Sequence, residues 1–89
     1  MSLKELVSKY IASTERAFGT IRISKASLNL GQNEIVKVVE FARAYLNDAK
    51  YFREQKKFEV SLTSIAYCEG ILDTLKLLGA IEICFEQPH

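Results

Sequence analysis

The chain has 89 residues, 48% of them hydrophobic and 26% charged, a composition that excludes intrinsic disorder and predicts one globular domain over residues 1–89. A formal net charge of +1 gives no overall attraction to nucleic acid or to an anionic membrane. No apolar run approaches the about 20 residues that span a bilayer, and the charged residues at positions 4 and 5 do not fit a secretory signal.

The first predicted element is an amphipathic helix over residues 2–28, where apolar side chains recur at alternating spacings of three and four. Ser2 is the expected N-cap, with Glu5 three residues on as in a capping box. Gly19 lies inside the pattern, so a break there is one alternative. The alternation in residues 20–24 offers a short strand as another. We favour a continuous helix because the longer period runs through this stretch.

The second and third predicted helices cover residues 34–55 and 58–78, after a turn at residues 29–33 in which Asn33 is the expected N-cap. The polar link between the two helices is so short that they must lie antiparallel. Gly79 suits the position just after the third helix. The first half of this helix is apolar nearly all round, which is typical of a central helix or of one that lends a face to a partner.

The tail, residues 80–89, alternates apolar and polar side chains and is expected to form a short strand or an extended strip packed on the helices. A strand needs a pairing edge, and the sequence shows none. The predicted fold is therefore all-α, an antiparallel three-helix bundle with an extended C-terminal tail.

Two stretches resemble the archaeal domain-of-unknown-function family numbered 357. Its pattern Tyr-Leu-x-Asp-Ala-x-x-Phe corresponds to residues 45–52, and Tyr-Ala-x-Gly-x-Leu-Asp followed by Leu-Gly corresponds to residues 67–73 and 78–79. The match covers the helical hairpin, about half the chain. Cys68 stands where the family usually has alanine, and the link Gln55-Lys56-Lys57 differs from the glycine and aspartate often found there.

The resemblance implies a small helical bundle, an archaeal cytoplasmic origin and no established activity. Relatives can be joined to nucleotidyltransferase-like domains, which hints at nucleotide metabolism.

A polar trio on the third helix, Glu69, Asp73 and Lys76, is the first candidate site. Like charges four residues apart repel unless a cation intervenes, and Lys76, Lys37 or Arg43 could supply it. A structural ion pair is the interpretation we favour over a binding pocket. A catalytic pair is disfavoured because no nucleophile or histidine is near in the sequence.

The second candidate group contains Asp48, Tyr51 and Tyr67, with Asp48 expected to be buried and hydrogen-bonded to a tyrosine, or else part of a ligand-binding face. Gly70 lies in mid-helix, where glycine is costly. Close helix approach or a slight bend would explain it, and so would the backbone of a ligand or partner.

A small basic cluster, Lys50, Arg53, Lys56 and Lys57, surrounds the predicted hairpin tip, but such clusters are usually solvated links. The two cysteines, Cys68 and Cys84, lack Cys-x-x-Cys spacing, so free thiols in a reducing cytoplasm are expected, and a zinc site is not.

The sequence thus favours a non-catalytic helical interaction module, expected to bind a protein partner or to self-associate as a homodimer. The alternative is a small-ligand or nucleotide-binding accessory domain of a nucleotide-handling enzyme. We expect no metal, no membrane segment and no resident cofactor, and nucleic-acid binding is disfavoured.

Overall fold

The first helix, α1, spans Leu3–Phe18 in a computed structural model that describes residues 1–24 and 31–85. The predicted cap is confirmed: the Glu5 backbone N–H donates to Ser2 Oγ at 3.1 Å, and the Ser2 hydroxyl donates to Glu5 Oε1 at 3.2 Å. One side of α1 is buried through its length, with Val7 and Ile11 near its start and Ala17 and Phe18 near its end.

The predicted helix over residues 2–28 is wrong for residues 19–24, because the observed helix ends at Phe18. The backbone N–H groups of Gly19, Thr20 and Ile21 each bond to the carbonyl three residues earlier, which tightens the last turn and ends the helix. A two-residue strand, β1, follows at Arg22–Ile23. The alternation in residues 20–24 was therefore the correct signal, and the break near Gly19 is real. Residues 25–28 lie outside the described part.

The C-terminal tail contributes the matching strand, β2, at Ile81–Glu82. The strands are antiparallel, with Arg22 opposite Glu82 and Ile23 opposite Ile81. The tail therefore has a pairing edge within the chain, contrary to the prediction, and this edge lies in the segment predicted as helix. Ile81 and Ile83 are buried, so this ribbon closes one end of the core.

Thr20 fastens this ribbon to α1. Its hydroxyl donates to the Ala17 carbonyl at 2.7 Å and its Oγ1 accepts the Cys84 backbone N–H at 2.8 Å. The same side chain thus satisfies a carbonyl at the end of the helix and an amide in the tail.

Helices α2, Gln32–Glu54, and α3, Phe58–Leu77, form the predicted hairpin, and both agree with the predicted bounds within two residues. The N-cap of α2 is Gly31, not Asn33. At the tip Lys56 takes a positive φ of 59°, and the Lys57 N–H bonds the Phe52 carbonyl at 2.9 Å. Gly79, with φ 74°, ends α3 as predicted, because the next amide, that of Ala80, can then reach back to the Leu75 carbonyl.

The three helices enclose one apolar core, with α1 lying against one side of the hairpin. Glu15 of α1 pairs with Lys50 of α2, their Oε2 and Nζ atoms 2.8 Å apart. Between α2 and α3 the buried Ser61 hydroxyl donates to the Ala49 carbonyl at 2.6 Å. The all-α three-helix architecture is confirmed. Within residues 1–24 and 31–85 no helix combines the length and apolarity needed to cross a membrane.

Candidate functional site

The polar trio on α3 does not converge on a single cleft. Glu69 is half-buried and accepts a hydrogen bond from the hydroxyl of Thr14, fully buried on α1, at 3.2 Å. Asp73 and Lys76 are exposed. Burial raises the pKa of Glu69 above its usual value; the Thr14 hydrogen bond lowers that pKa and the Asp73 charge raises it further. Glu69 and Thr14 therefore form a polar contact between two helices.

Arg43, one of the three cations considered for Glu69 and Asp73, makes its ion pair and its aromatic contact elsewhere. The Arg43 Nε lies 3.3 Å from Glu40 Oε2 on its own helix, and the guanidinium carbon lies 4.6 Å from the centroid of the Phe18 ring. Arg43 therefore joins α2 to α1 through a cation–π contact with Phe18.

The structure shows no contact that joins the residues of the second candidate group, Asp48, Tyr51 and Tyr67, into one site. Asp48 is exposed, so the buried aspartate bonded to tyrosine is wrong. Tyr51 is exposed and meets the Phe52 ring edge-on, with the centroids 5.4 Å apart. Tyr67 is 61% exposed and stacks on Tyr45 with the centroids 5.5 Å apart. Tyr67 therefore contacts the aromatic ring of Tyr45.

A broad apolar depression lies where the predicted sites do not. It has a volume of about 900 Å³ and lies along α3 beside α2, and none of its lining residues belongs to α1. We call it the outer groove. Its walls are formed by Val38 of α2 together with Leu62, Thr63, Ala66, Tyr67, Gly70, Ile71, Thr74 and Leu75 of α3.

The outer groove is uncharged and mostly apolar, because none of its lining residues carries a charge and only Thr63, Tyr67 and Thr74 have polar side chains. The two threonine hydroxyls bond back to their own helix: Thr63 donates to the Glu59 carbonyl at 3.0 Å, and Thr74 to the Gly70 carbonyl at 2.9 Å. Since those hydroxyls are satisfied, covering the groove would strand no threonine donor.

Gly70 lies in the wall of the outer groove, and packing within the chain does not explain it. A methyl group added at its Cα would meet no atom within 4 Å outside its own helix backbone. Close approach of another helix of the same chain is therefore not the reason for this glycine. Because Gly70 has no side chain, the exposed surface of α3 is lower at this position.

Both cysteines are free thiols. Cys68 is fully buried between the helices, and burial, followed by the nearby Glu69 charge, raises its pKa to about 12. Such a thiol is a weak nucleophile and packs as a small apolar side chain. Within the described residues no group of three histidine, cysteine or acidic side chains could hold a metal ion.

A family model described as "Protein of unknown function (DUF357)" matches residues 9–81. The chain therefore belongs to this family, and the match includes all of the hairpin and most of α1. Searches of curated proteins and of solved structures found no match.

One feature of the sequence indicates the outer groove. The charged residues of α3 are Glu59, Glu69, Asp73 and Lys76, and all but the first lie on the side nearer α1. Its charged residues, the predicted candidates, therefore lie mostly outside the groove. A run of uncharged small and apolar residues opposite the core, at 63, 66, 67, 70 and 74, was the better guide.

Proposed function

We propose that this chain is a non-catalytic helical interaction module, and that its outer groove binds an apolar helix presented by a protein partner. The observation that carries the proposal is the groove itself: an uncharged depression of about 900 Å³ whose threonine hydroxyls are already bonded. A surface like this gains free energy when it is removed from water and loses little through desolvated polar groups.

Exposed aromatic side chains support the same proposal. Phe41, 67% exposed, lies on the same flank of α2 as Val38 and Tyr45, and Tyr67 extends the aromatic surface on α3. Large aromatic residues with well-defined rotamers frequently supply most of the binding energy of an interface. A groove between two antiparallel helices accepts a third helix through side chains at i, i+3, i+4 and i+7.

A direct test uses a synthetic amphipathic helix of about four turns, with leucine at i, i+3, i+4 and i+7 and glutamine elsewhere, titrated into the protein by calorimetry. We expect binding with a negative heat-capacity change, and amide shifts at Thr63, Gly70 and Thr74 in an NMR titration. Ala66→Glu should weaken binding at least about tenfold, because its carboxylate would be desolvated.

The control is Asn47→Glu, which adds the same charge at an exposed position of α2 outside the groove and should leave the affinity unchanged. Absence of binding, or equal loss in both variants, would contradict the proposal.

A small apolar ligand is the second candidate, because the volume of the groove falls within the range of small-molecule sites. A nucleotide is less well supported, since no residue that lines the groove is cationic and could pair with a phosphate. A thermal-shift series with nucleotides, with and without magnesium, checks this; stabilisation by any of them would favour the accessory-domain function.

We also propose a cytoplasmic location, supported by the two free thiols, one buried and one exposed. An archaeal origin is proposed on the family resemblance alone.

A further inference from the structure

We infer that residues 80–85, which we call the strap, open from the end of the core as one unit while the three helices stay folded, and that the Thr20 hydroxyl sets how often the strap opens. The strap contains β2, and its buried side chains Ile81 and Ile83 cover one end of the apolar core. Opening of the strap therefore exposes that end of the core. The inference concerns a surface other than the outer groove and does not depend on the proposed function.

The hydrogen bonds that hold the strap are the first argument. They run to the short segment between α1 and α2: the Cys84 N–H donates to Thr20 Oγ1 at 2.8 Å, and the Ser24 N–H donates to the Ala80 carbonyl at 3.0 Å. Between these two bonds lies the two-residue ribbon of β1 and β2. The strap is therefore attached through one short ladder and one side chain.

The contacts that join the helices to one another are the second argument, because they involve no residue of the strap. Lys50 of α2 pairs with Glu15 of α1, and the buried Ser61 hydroxyl of α3 donates to the Ala49 carbonyl of α2. Opening of the strap breaks neither contact. Segments whose bonds are separate from those of the remaining structure can open locally, with a free energy below that of global unfolding.

Gly79 is the expected hinge of the strap. Its φ of 74° is a conformation that other residues rarely adopt, and a methyl group added at its Cα would meet no atom within 4 Å. Because glycine adopts both signs of φ with little steric cost, the backbone can turn at this position without a change in α3, which ends at Leu77.

Thr20 fastens the strap from an exposed position. Its hydroxyl donates to the Ala17 carbonyl at the end of α1 and accepts the Cys84 amide of the strap. Water can replace both bonds when the strap leaves, so opening strands no polar group. The burial of Ile81 and Ile83 opposes opening, which keeps the open state a minor population. Hydrogen exchange is the measurement that detects such a population.

Native-state hydrogen exchange of the full chain, followed by NMR, tests separate opening. The Ser24 amide reports on the strap because its acceptor is the Ala80 carbonyl. We expect the Ser24 amide to be protected at least about tenfold less than the Leu46 and Leu72 amides in the middle of the hairpin. Low urea should accelerate exchange at Leu46 and Leu72 strongly and at Ser24 weakly, because the urea dependence scales with the surface exposed on opening.

Thr20→Val tests the role of the hydroxyl. It removes the bond to Cys84 and leaves the bond between Ser24 and Ala80 in place, yet it should accelerate exchange at Ser24 at least about threefold, since the two bonds break together. The matched control is Thr63→Val, which removes a hydroxyl bonded within α3 and should leave Ser24 exchange unchanged.

A disulfide between the two strands supplies an independent measurement. Arg22 and Glu82 are exposed and lie opposite each other. Opposed residues of antiparallel strands have Cα atoms about 4.5–5.5 Å apart, which suits a disulfide. In a Cys84→Ser background, oxidised Arg22→Cys with Glu82→Cys should slow Ser24 exchange to the level of the Leu72 amide, and reduction should restore the faster rate.

Three results would overturn the inference. Exchange at Ser24 that rises with urea as steeply as at Leu72 would mean that the strap opens only on global unfolding. An oxidised disulfide that slows the Ser24 and Leu72 amides by the same factor would lead to the same conclusion. Unchanged Ser24 exchange in Thr20→Val would show that the Thr20 hydroxyl does not control opening.

Discussion

The two sides of α3 are both apolar, and the chain itself covers one of them. On the inner side Ile65, Cys68 and Leu72 are almost entirely inaccessible to water, packed within the core formed with α1 and α2. On the outer side Tyr67 and Leu77 are mostly exposed. A helix that only stabilises its own domain needs one apolar side. The second side of α3 therefore calls for an explanation that lies outside the three-helix core.

The hydrogen bonds of polar side chains differ between the two sides of α3. On the inner side they join separate helices, as when the Ser61 hydroxyl donates to the Ala49 carbonyl and Thr14 donates to Glu69. On the outer side the hydroxyls of Thr63 and Thr74 bond within α3 itself. Inner polar groups therefore fix how the helices pack, whereas the two outer threonine hydroxyls can be covered without loss of their hydrogen bonds.

The largest difference should appear in thiol reactivity. Since burial raises the pKa of the Cys68 thiol to about 12, its thiolate fraction at neutral pH falls about a thousandfold below that of an ordinary cysteine. Cys84 is exposed. Iodoacetamide labelling followed by mass spectrometry should modify Cys84 rapidly and Cys68 only in denaturant. Equal rates in the native protein would mean that the inner side opens readily.

The next largest difference concerns leucine truncation. Leu72→Ala on the inner side should lower the free energy of unfolding by about 2–5 kcal/mol, because it leaves a cavity at a fully buried site. Leu77→Ala on the outer side should change it by less than about 0.5 kcal/mol. Urea denaturation at a concentration low enough to keep the chain monomeric measures both. Similar losses would show that α3 has no preferred inner side.

Hydroxyl deletion gives a smaller contrast of the same kind. Ser61→Ala removes a buried bond between helices and should cost about 0.5–1.5 kcal/mol. Thr63→Ala removes a bond within α3 at an exposed position, and alanine's higher helix propensity should make it neutral or slightly stabilising. The same urea titrations check the pair, and a costly Thr63→Ala would contradict the assignment of its hydroxyl to local bonding.

The helical hairpin was predictable because its signals are local. The apolar spacing of α2 and the glycine after α3 both depend on residues close in sequence, and both were confirmed. The end of α1 was not predicted, because Thr20 acts there through a bond to Cys84, 64 positions away. A periodic pattern cannot register such a contact, so the two-strand ribbon was interpreted partly as helix.

The candidate site was predictable only in its general location. The two-sided apolarity of α3 indicates a face available to a partner. The charged residues Glu69 and Asp73, predicted as candidates, do not line the groove. Whether Gly70 serves a contact inside or outside the chain depends on the space around it, which sequence alone does not give. The family pattern at residues 67–73 includes members of both sides, so it did not separate packing from binding.

The smallest expected effect concerns Glu69, which lies at the border between the two sides. Because burial raises its pKa, the folded protein binds the Glu69 proton more tightly than the unfolded chain does, and ionisation at neutral pH costs stability. Glu69→Gln should therefore raise the free energy of unfolding at pH 7 by a few tenths of a kcal/mol, a small amount because the side chain is half-exposed and solvent screens it.

The pH dependence of the Glu69→Gln effect follows from the direction of the pKa shift. Below about pH 4, the usual range of a glutamate pKa, Glu69 is protonated in both states and the gain from Glu69→Gln should vanish; it should grow as the pH rises through the raised pKa. Asp73→Asn, which removes the nearby like charge, should give a smaller gain of the same sign. If Glu69→Gln instead destabilised the protein at pH 7 and not at pH 4, an ion pair would hold this carboxylate, and the border would be an electrostatic site and not the hydroxyl contact with Thr14.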